Sequence, residues 1–208
     1  MKRCLLVGVF SWLLLAPVRA APAGDLRGDP AWREIFQRLA PVRNRECAFQ
    51  ERRYFPFRRK PIELSGLVRL APGRGLSLDY LAPEARLVII DREGVLLREA
   101  GGQRAAPADR RVQAATGAMA AVLRFDPDEL ARDFTWQGAR AGDAWRLTLQ
   151  PRDPSLGGSL GEILVSGTAG RLAEIDLIRS ADQRIEIVLG PPADGVVFTA
   201  EELARYFR

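Results

Sequence analysis

The chain has 208 residues, 47% of them hydrophobic, with no histidine and only two cysteines, Cys4 and Cys47. Because the nitrogen and sulfur ligands of zinc and related metals are so scarce, we expect no metal site and no cofactor. The formal net charge of +5 falls by three to +2 once Lys2, Arg3 and Arg19 are set aside. The remaining acids and bases are interleaved, which argues against nucleic-acid binding.

The first twenty residues have the pattern of a secretory signal peptide. Lys2 and Arg3 form a positive start, residues 4–16 are apolar, and a Val-Arg-Ala cleavage site ends at Ala20. We therefore predict cleavage after Ala20, a mature chain of residues 21–208 and a location in the periplasm. The apolar run is short for a membrane span, so an uncleaved anchor is the less favoured alternative.

An amphipathic helix is predicted at the start of the mature chain. Asp29 followed by Pro30 is a favoured arrangement for the first turn of a helix. The apolar positions recur at i, i+3, i+4 and i+7, namely Trp32, Ile35, Phe36 and Leu39. Such a stripe needs a hydrophobic surface to cover, and only strand patterns follow it.

Residues 45–98 alternate apolar and polar positions between glycine and proline breaks. This rhythm is typical of consecutive antiparallel strands whose two faces differ. We predict strands at residues 45–55, 62–70, 76–81, 86–91 and 95–98. Cys47 lies in the first of these strands and is expected to be a small buried apolar residue. Pairing with a cysteine of another molecule is the less favoured alternative.

The second half of the chain resumes this pattern after a helical segment. Residues 101–109 are predicted to form a loop, and a second helix with Met119 on its buried face then continues to about residue 123. Five further strands are predicted at 134–139, 145–150, 163–167, 172–178 and 184–189. Thr199 and Glu202 have the spacing of a capping box, which predicts a terminal helix.

These elements predict one α+β domain over residues 21–208. About ten antiparallel strands would form a single strongly curved sheet, an incomplete β-barrel, because sheets of that width tend to curl. Two to three amphipathic helices are expected to cover it. Periodicity alone does not distinguish an interior filled by side chains from one that holds a ligand.

The motifs that could indicate catalysis lack their context. Residues 157–161 spell G-x-S-x-G around Ser159, but no apolar strand precedes them, and the chain has no histidine to activate the serine. Lys60, the single mature lysine, is supported as a base by no pattern. Carboxylate groups such as Asp126 and Asp128 lie where the first turn of a helix prefers acids. We therefore predict no catalytic residues and a protein that is not an enzyme.

Residues 49–83 have a recognisable arrangement of strands and turns. A Phe-x-Glu opening at Phe49, a Ser-Gly-hydrophobic strand from Ser65, a turn at Pro72 and a second proline, Pro83, enclose a short apolar strand. This arrangement resembles the outer-membrane lipoprotein carriers of the LolA type, as a divergent branch. The resemblance extends loosely from Trp32 to Phe207.

The resemblance implies a LolA/LolB-like fold with a hydrophobic cavity. Such carriers shield the acyl chains of lipoproteins between an inner-membrane donor and an outer-membrane receptor. The receptor relative is lipid-anchored, and no cysteine follows the predicted cleavage region here, which favours the soluble carrier role. Ala71 stands where the carriers have an arginine that latches the lid; Arg69 and Arg74 are the candidates to replace it.

We therefore predict a periplasmic carrier, expected to be monomeric, that binds lipoprotein acyl chains or another long apolar lipid. The strand residues expected to line its cavity are Ile62, Leu64, Val68, Leu70, Leu76, Leu78, Leu87 and Ile89. The helix residues expected to face the cavity as a lid are Trp32, Ile35, Phe36, Leu39, Val112 and Met119. A basic hairpin is expected to dock onto a partner protein or anionic lipid: Arg52, Arg53, Arg58, Arg59 and Lys60.

Two alternatives remain open from the residues. The basic hairpin is also compatible with a solvated turn, which its residues alone favour over docking. The whole chain is compatible with a non-enzymatic periplasmic protein-interaction module whose sheet has a filled interior.

Overall fold

The computed structural model describes residues 19–20, 25–40, 43–106, 110–154 and 160–208. The predicted signal peptide therefore lies outside the described residues except for its last two positions, and so does Ser159 of the G-x-S-x-G motif. Within the described ranges, no helix has the length and apolarity that a membrane span requires.

In the described ranges, thirteen strands form one antiparallel sheet with two separate edges. The first seven are β1 Arg19–Ala20, β2 Arg45–Arg53, β3 Ile62–Ala71, β4 Gly75–Ala82, β5 Arg86–Asp91, β6 Gly94–Glu99 and β7 Gly102–Ala105. The others are β8 Phe134–Ala141, β9 Ala144–Pro151, β10 Glu162–Thr168, β11 Arg171–Ser180, β12 Gln183–Leu189 and β13 Ala193–Asp194. Their order is β1-β8-β9-β10-β11-β12-β2-β3-β4-β5-β6-β7, with β13 paired to β2. The predicted fold class, a single unclosed antiparallel sheet with covering helices, is confirmed.

Four α-helices accompany the sheet within the described residues: α1 Pro30–Leu39, α2 Arg110–Arg124, α3 Pro127–Asp133 and α4 Ala200–Tyr206. The predicted cap of α1 is present, since the Asp29 carboxylate accepts hydrogen bonds from the backbone N–H groups of Ala31 and Trp32 at 2.8 and 3.4 Å. The predicted capping box of α4 is also present, with both reciprocal bonds between Thr199 and Glu202. These bonds satisfy N–H groups that the first helical turn leaves free.

Strand pairing defines two faces of the sheet. Val68 lies opposite Leu78 and Leu70 lies opposite Leu76, and directly opposed residues of an antiparallel pair share a face. These four side chains belong to the main buried cluster together with residues of α1, α2 and α3. We call this the inner face, and the opposite one the outer face. Helix α4 packs on the outer face, where a second cluster contains Ala71 and residues of the C-terminal segment.

The prediction of a loop at residues 101–109 is wrong for its first part, because strand β7 occupies Gly102–Ala105. All four of its residues are exposed, so no apolar alternation marks the strand. The strand forms because its backbone pairs with that of β6. Gly102 lies opposite Glu99 at one end of the pairing, and Ala105 lies opposite Leu96 at the other. Short, polar edge strands of this kind are typical of sheets that avoid pairing with other chains.

Cys47 is buried, as predicted. It lies on the inner face, opposite Val68. Burial raises the pKa of its thiol to about 11, because the charged thiolate is poorly solvated there. The thiol is therefore protonated at neutral pH, and the residue packs as a small apolar side chain.

Candidate ligand-binding site

Aromatic rings fill one half of the inner face, where α1 lies against the sheet. Phe36 is central: its ring centroid is 5.9 Å from that of Trp32, 5.8 Å from that of Phe125 and 5.4 Å from that of Trp136, with which it is stacked. Phe125 also contacts Trp145 edge-on at 5.8 Å. Each of these five side chains is at most 4% exposed. This half of the interior is a packed core.

Helix α1 approaches the sheet closely because β8 has a glycine beneath it. A Cβ atom added at Gly138 would lie 2.2 Å from Cζ2 of Trp32, a distance that side-chain packing cannot accommodate. The absence of a side chain at Gly138 therefore leaves the space that the Trp32 indole ring occupies. The predicted α1 residues Trp32, Phe36 and Leu39 are buried, and Ile35 packs partly buried against the same cluster.

Helix α2 covers the other half of the inner face with aliphatic side chains, among them Val122 and Leu123, which are 0% and 6% exposed. Ala118, Ala120 and Ala121 are buried in the main cluster, and α2 contacts β5. Met119, predicted to face the sheet, is 9% exposed and belongs to that cluster. Val112 lies in the first part of α2, whose side chains are outside the described residues.

Six of the eight predicted strand residues share the inner face. Val68, Leu70, Leu76 and Leu78 are buried in the same cluster as the residues of α2. Ile62 and Leu64 are half-buried farther along the same face of β3, where they lie opposite Arg53 and Glu51.

The prediction is wrong for Leu87 and Ile89. Leu87 pairs with Asp79 and Ile89 pairs with Ser77, so both lie on the outer face. Val88 and Ile90 take the inner positions of β5 and contribute to the main cluster. The sequence of β5 is apolar at consecutive positions, so alternation could not assign its faces, and only the register with β4 does so.

A polar cluster lies at the end of the inner face beyond these aliphatic residues. Glu51 is 1% exposed and accepts hydrogen bonds from the hydroxyl of Tyr80, at 2.9 Å, and from Nε of Arg53. The guanidinium carbon of Arg86 is 4.7 Å from the centroid of the Tyr80 ring. Burial, followed by the nearby Glu51 carboxylate, raises the pKa of Tyr80, so its hydroxyl stays protonated and donates to Glu51.

Arg53 does not belong to the basic docking surface predicted for it, because it faces inward to Glu51. The other four predicted residues are exposed: Arg52, Arg58, Arg59 and Lys60. Arg52 lies 3.9 Å from Glu186 on the outer face. Phe57 lies between Arg52 and Arg58 in the chain. Its side chain is 81% exposed and stacks on Phe55 with 5.3 Å between ring centroids. We call residues 54–61 the basic turn.

Among the described side chains, neither candidate for the latching arginine pairs with a helix of the inner face. Arg69 points outward and pairs with Glu46 and Asp79 at 2.6 and 2.8 Å. Its guanidinium also stacks on Tyr206 of α4, 3.7 Å from the ring centroid. Arg74 lies 3.5 Å from the carbonyl oxygen of Arg208. Both arginines contact the C-terminal segment instead.

Surface cavities open at both ends of the inner face. One of about 370 Å³ lies between the β3–β4 turn and the α2–α3 junction, and its lining includes Leu70 and Phe125. A second of about 550 Å³ lies between the β4–β5 and β6–β7 turns, and its lining includes Leu64 and Arg86. The buried cluster separates the two cavities. Among the described residues, no group of three possible ligands comes together as a metal site.

Comparison with known proteins identifies a family. The family model described as "Outer membrane lipoprotein carrier protein LolA-like" matches residues 23–197. A search of curated proteins finds no match.

Solved structures with a similar fold are distant in sequence. A LolA superfamily protein of Nitrosomonas europaea is 8% identical, with 82% of this chain and 96% of that chain covered and a TM-score of 0.45. In the MucA/MucB complex of Pseudomonas aeruginosa, the similar chain is 16% identical, with coverage of 81% and 59% and a TM-score of 0.45. A structure of MucB in complex with MucA(peri) gives 15% identity, coverage of 83% and 58%, and a TM-score of 0.43. Likeness of this degree identifies no ligand or partner.

Proposed function

The chain belongs to the LolA-like family of outer membrane lipoprotein carrier proteins, and from that membership we propose that it is a non-enzymatic periplasmic carrier. Its cargo is the acyl chains of lipoproteins or another long apolar lipid. The cargo binds on the inner face between β3–β5 and α2. The single observation that carries this proposal is that α2 covers a fully apolar part of the sheet with alanine and other aliphatic side chains and with no aromatic ring.

The energetic requirement for such a carrier follows from the hydrophobic effect. Each CH₂ group in water costs about 0.8 kcal/mol, so a chain of roughly sixteen carbons costs on the order of 12 kcal/mol. A carrier must replace that contact with apolar surface of its own. Val68, Leu70, Leu76 and Leu78, all buried on adjacent strands, provide a continuous surface of this kind.

Cargo binding requires α2 to move, and its composition keeps the cost of that movement low. The alanine, valine and leucine side chains of α2 each bury less apolar area than tryptophan or phenylalanine, and the stabilisation by burial is proportional to area. Helix α2 therefore separates from the sheet more easily than α1, whose Trp32 and Phe36 are locked into the aromatic cluster. We accordingly propose α2 as the movable lid and α1 as a fixed plug.

The basic turn is the proposed docking surface for the donor and receptor. Arg58, Arg59 and Lys60 are exposed, and so is the aromatic ring of Phe57. Cationic side chains next to an exposed ring suit an acidic protein surface or anionic lipid headgroups.

The carrier proposal is tested by substituting, one at a time, two leucines of β3 that lie on opposite faces of the sheet. Leu64 points to the inner face and Leu67 to the outer face, and both are half-buried. Replacing Leu64 with Gln should weaken binding of the neutral hydrophobic dye N-phenyl-1-naphthylamine about tenfold, because one leucine contributes about 1.5 kcal/mol or more of apolar contact. Leu67→Gln is the matched control and should leave the affinity unchanged. Fluorescence titration measures both; a wild-type protein that takes up no dye would contradict the proposal.

The second candidate is a protein-interaction module with a filled interior. The aromatic cluster around Phe36 favours it, because that half of the inner face has no room for a lipid. In this case the dye stays unbound, and a partner protein contacts the basic turn or a sheet edge.

A further inference from the structure

Arg86 is a partly buried arginine without a carboxylate partner among the described residues. Its Nε atom is buried and makes no hydrogen bond there, and the contact recorded for its guanidinium is the ring of Tyr80. Other arginines of low exposure are paired: Arg69 with Glu46 and Asp79, and Arg53 with Glu51. A buried donor without an acceptor is costly. Nε1 of Trp136 and Nε1 of Trp145 are also buried without an acceptor among the described residues, but Arg86 carries a charge, so an acceptor from outside would gain more there.

The net charge around Tyr80 is positive. Arg53 and Arg86 lie against its ring, with guanidinium carbons 5.9 and 4.7 Å from the centroid. Glu51 is the carboxylate that contacts this group, and it is already engaged by Arg53 and by the Tyr80 hydroxyl. One positive charge is therefore uncompensated within the cluster, and it is the charge of Arg86.

Arg86 lines a cavity that an elongated molecule can enter. The cavity has a volume of about 550 Å³, and its wall includes Leu64 of the inner face, Pro83 and Ala85. Because successive hairpins of an antiparallel sheet turn at alternate ends, the β2–β3, β4–β5 and β6–β7 connections share one end. The cavity thus opens at the same end of the sheet as the basic turn.

Two carboxylates, Glu84 and Glu99, also line this cavity. Both are exposed, and Glu99 lies 3.6 Å from Arg104. Exposed charges are screened by water and salt within a Debye length, whereas buried charges are screened much less. The partly buried guanidinium of Arg86 therefore has a larger influence on a ligand inside the cavity than either exposed carboxylate.

We propose that Arg86, supported by Arg53, binds the anionic headgroup of an amphipathic ligand, a carboxylate or a phosphate, whose apolar tail extends past Leu64 along the inner face. The inference rests on the proposed carrier function. It adds that the ligand site on the inner face has a polar end, where the headgroup binds. It defines the cargo class as chains with a negatively charged group, in contrast to wholly apolar lipids.

The test compares three twelve-carbon probes at neutral pH: dodecanol, laurate and dodecyl phosphate, each displacing N-phenyl-1-naphthylamine below its micelle concentration. A charge-assisted hydrogen bond contributes about 1.5–3 kcal/mol. We therefore expect wild-type protein to bind at least one anionic probe about tenfold or more tightly than dodecanol. The preference between laurate and dodecyl phosphate distinguishes a carboxylate from a phosphate headgroup.

Arg86→Gln should abolish the preference for the anionic probe while dodecanol affinity stays within about twofold. Arg86→Lys, which keeps the charge, should retain most of the preference. Arg92→Gln is the control, because Arg92 is exposed in the β5–β6 turn at the other end of the sheet. The measured quantity is the ratio of the affinity for the anionic probe to the affinity for dodecanol. A general loss of stability would lower both affinities, whereas a loss of headgroup recognition lowers the ratio.

Each outcome decides a different proposal. Equal binding of the three probes by wild-type protein, or a preference that survives Arg86→Gln, would overturn the headgroup site and leave the carrier function intact. Inorganic phosphate binding as tightly as dodecyl phosphate would overturn the amphipathic assignment. Failure of all probes, dodecanol included, would overturn the carrier function itself.

Discussion

Asp176 shows how a single side chain on the outer face can work against stability. Its Oδ1 atom is buried without a hydrogen-bond partner among the described residues. Burial is the main cause that raises its pKa to about 6, and the carboxylates of Glu174 and Glu186 add to it, while Arg184 and Arg146 oppose it. The folded chain therefore holds the proton more tightly than an unfolded chain, in which an aspartate titrates near 3.9.

This raised pKa predicts that Asp176→Asn increases the free energy of unfolding by an amount that depends on pH. A raised pKa contributes stability below the unfolded value of about 4, and that contribution is lost as the pH rises through about 6. At pH 7.5 the Asn variant should be more stable than wild type by on the order of 1–2 kcal/mol after allowance for solvent screening, and at pH 4 the gain should be absent. Urea unfolding at the two pH values measures this, with Asp143→Asn in the exposed β8–β9 turn as the charge-matched control. A gain of equal size at both pH values would contradict the explanation.

At the scale of elements, α4 is a seven-residue helix held by the outer face of the sheet. Helices of this length are not stable alone. Arg98 of β6 donates hydrogen bonds from Nη1 to the carbonyl oxygens of Ala204 and Arg205 at 2.9 and 2.5 Å, which satisfies the end of the helix. Phe207, fully buried, packs on Phe198 with 5.7 Å between centroids.

Phe207→Ala should therefore destabilise the fold without affecting the ligand site. Removing a buried phenylalanine typically costs about 3–5 kcal/mol because a cavity remains, and urea unfolding should show a loss in this range. The affinity for N-phenyl-1-naphthylamine should stay at the wild-type value under conditions where the variant is folded. A loss of dye binding in proportion to the loss of stability would mean that the outer face and the ligand site are coupled.

At the scale of the whole molecule, the two halves of the inner face differ in how firmly their helices are attached. Large rings join α1 to β8, whereas alanine and other aliphatic side chains join α2 to the sheet. Cargo should therefore enter by displacement of α2 alone. All three tryptophans of the predicted mature chain, Trp32, Trp136 and Trp145, are buried in the α1 half.

This difference predicts which helix becomes accessible when lipid binds. In a Cys47→Ala background, the thiol of Met119→Cys on α2 should react with a maleimide faster in the presence of laurate or a diacylated lipopeptide. Leu39→Cys on α1, which is 2% exposed against 9% for Met119, is the matched control and should remain protected. The tryptophan emission maximum should likewise keep its lipid-free value. Equal acceleration at both thiols would show that the helices move together.

The candidate site was only partly predictable from the sequence. The caps at Asp29 and Thr199 and the alternation in β3 depend on neighbouring residues in the chain, so the helix starts and the inner positions Val68 and Leu70 were predicted correctly. Strand β5 could not be assigned, because an apolar run has no period. The pairing of Leu87 with Asp79 decided its face.

The sequence by itself determined the class of the fold: a rhythm of hairpins with one-sided helices, in which local propensity and period are sufficient. Tertiary structure decided the chemistry of the inner face. It directed Arg53 inward to Glu51 and Arg69 outward to α4. It also placed Arg86 beside Tyr80, with no carboxylate partner among the described residues. The physical reason is that charge compensation depends on contacts across strands far apart in the chain, and a shift of register by one residue exchanges the two faces of a strand.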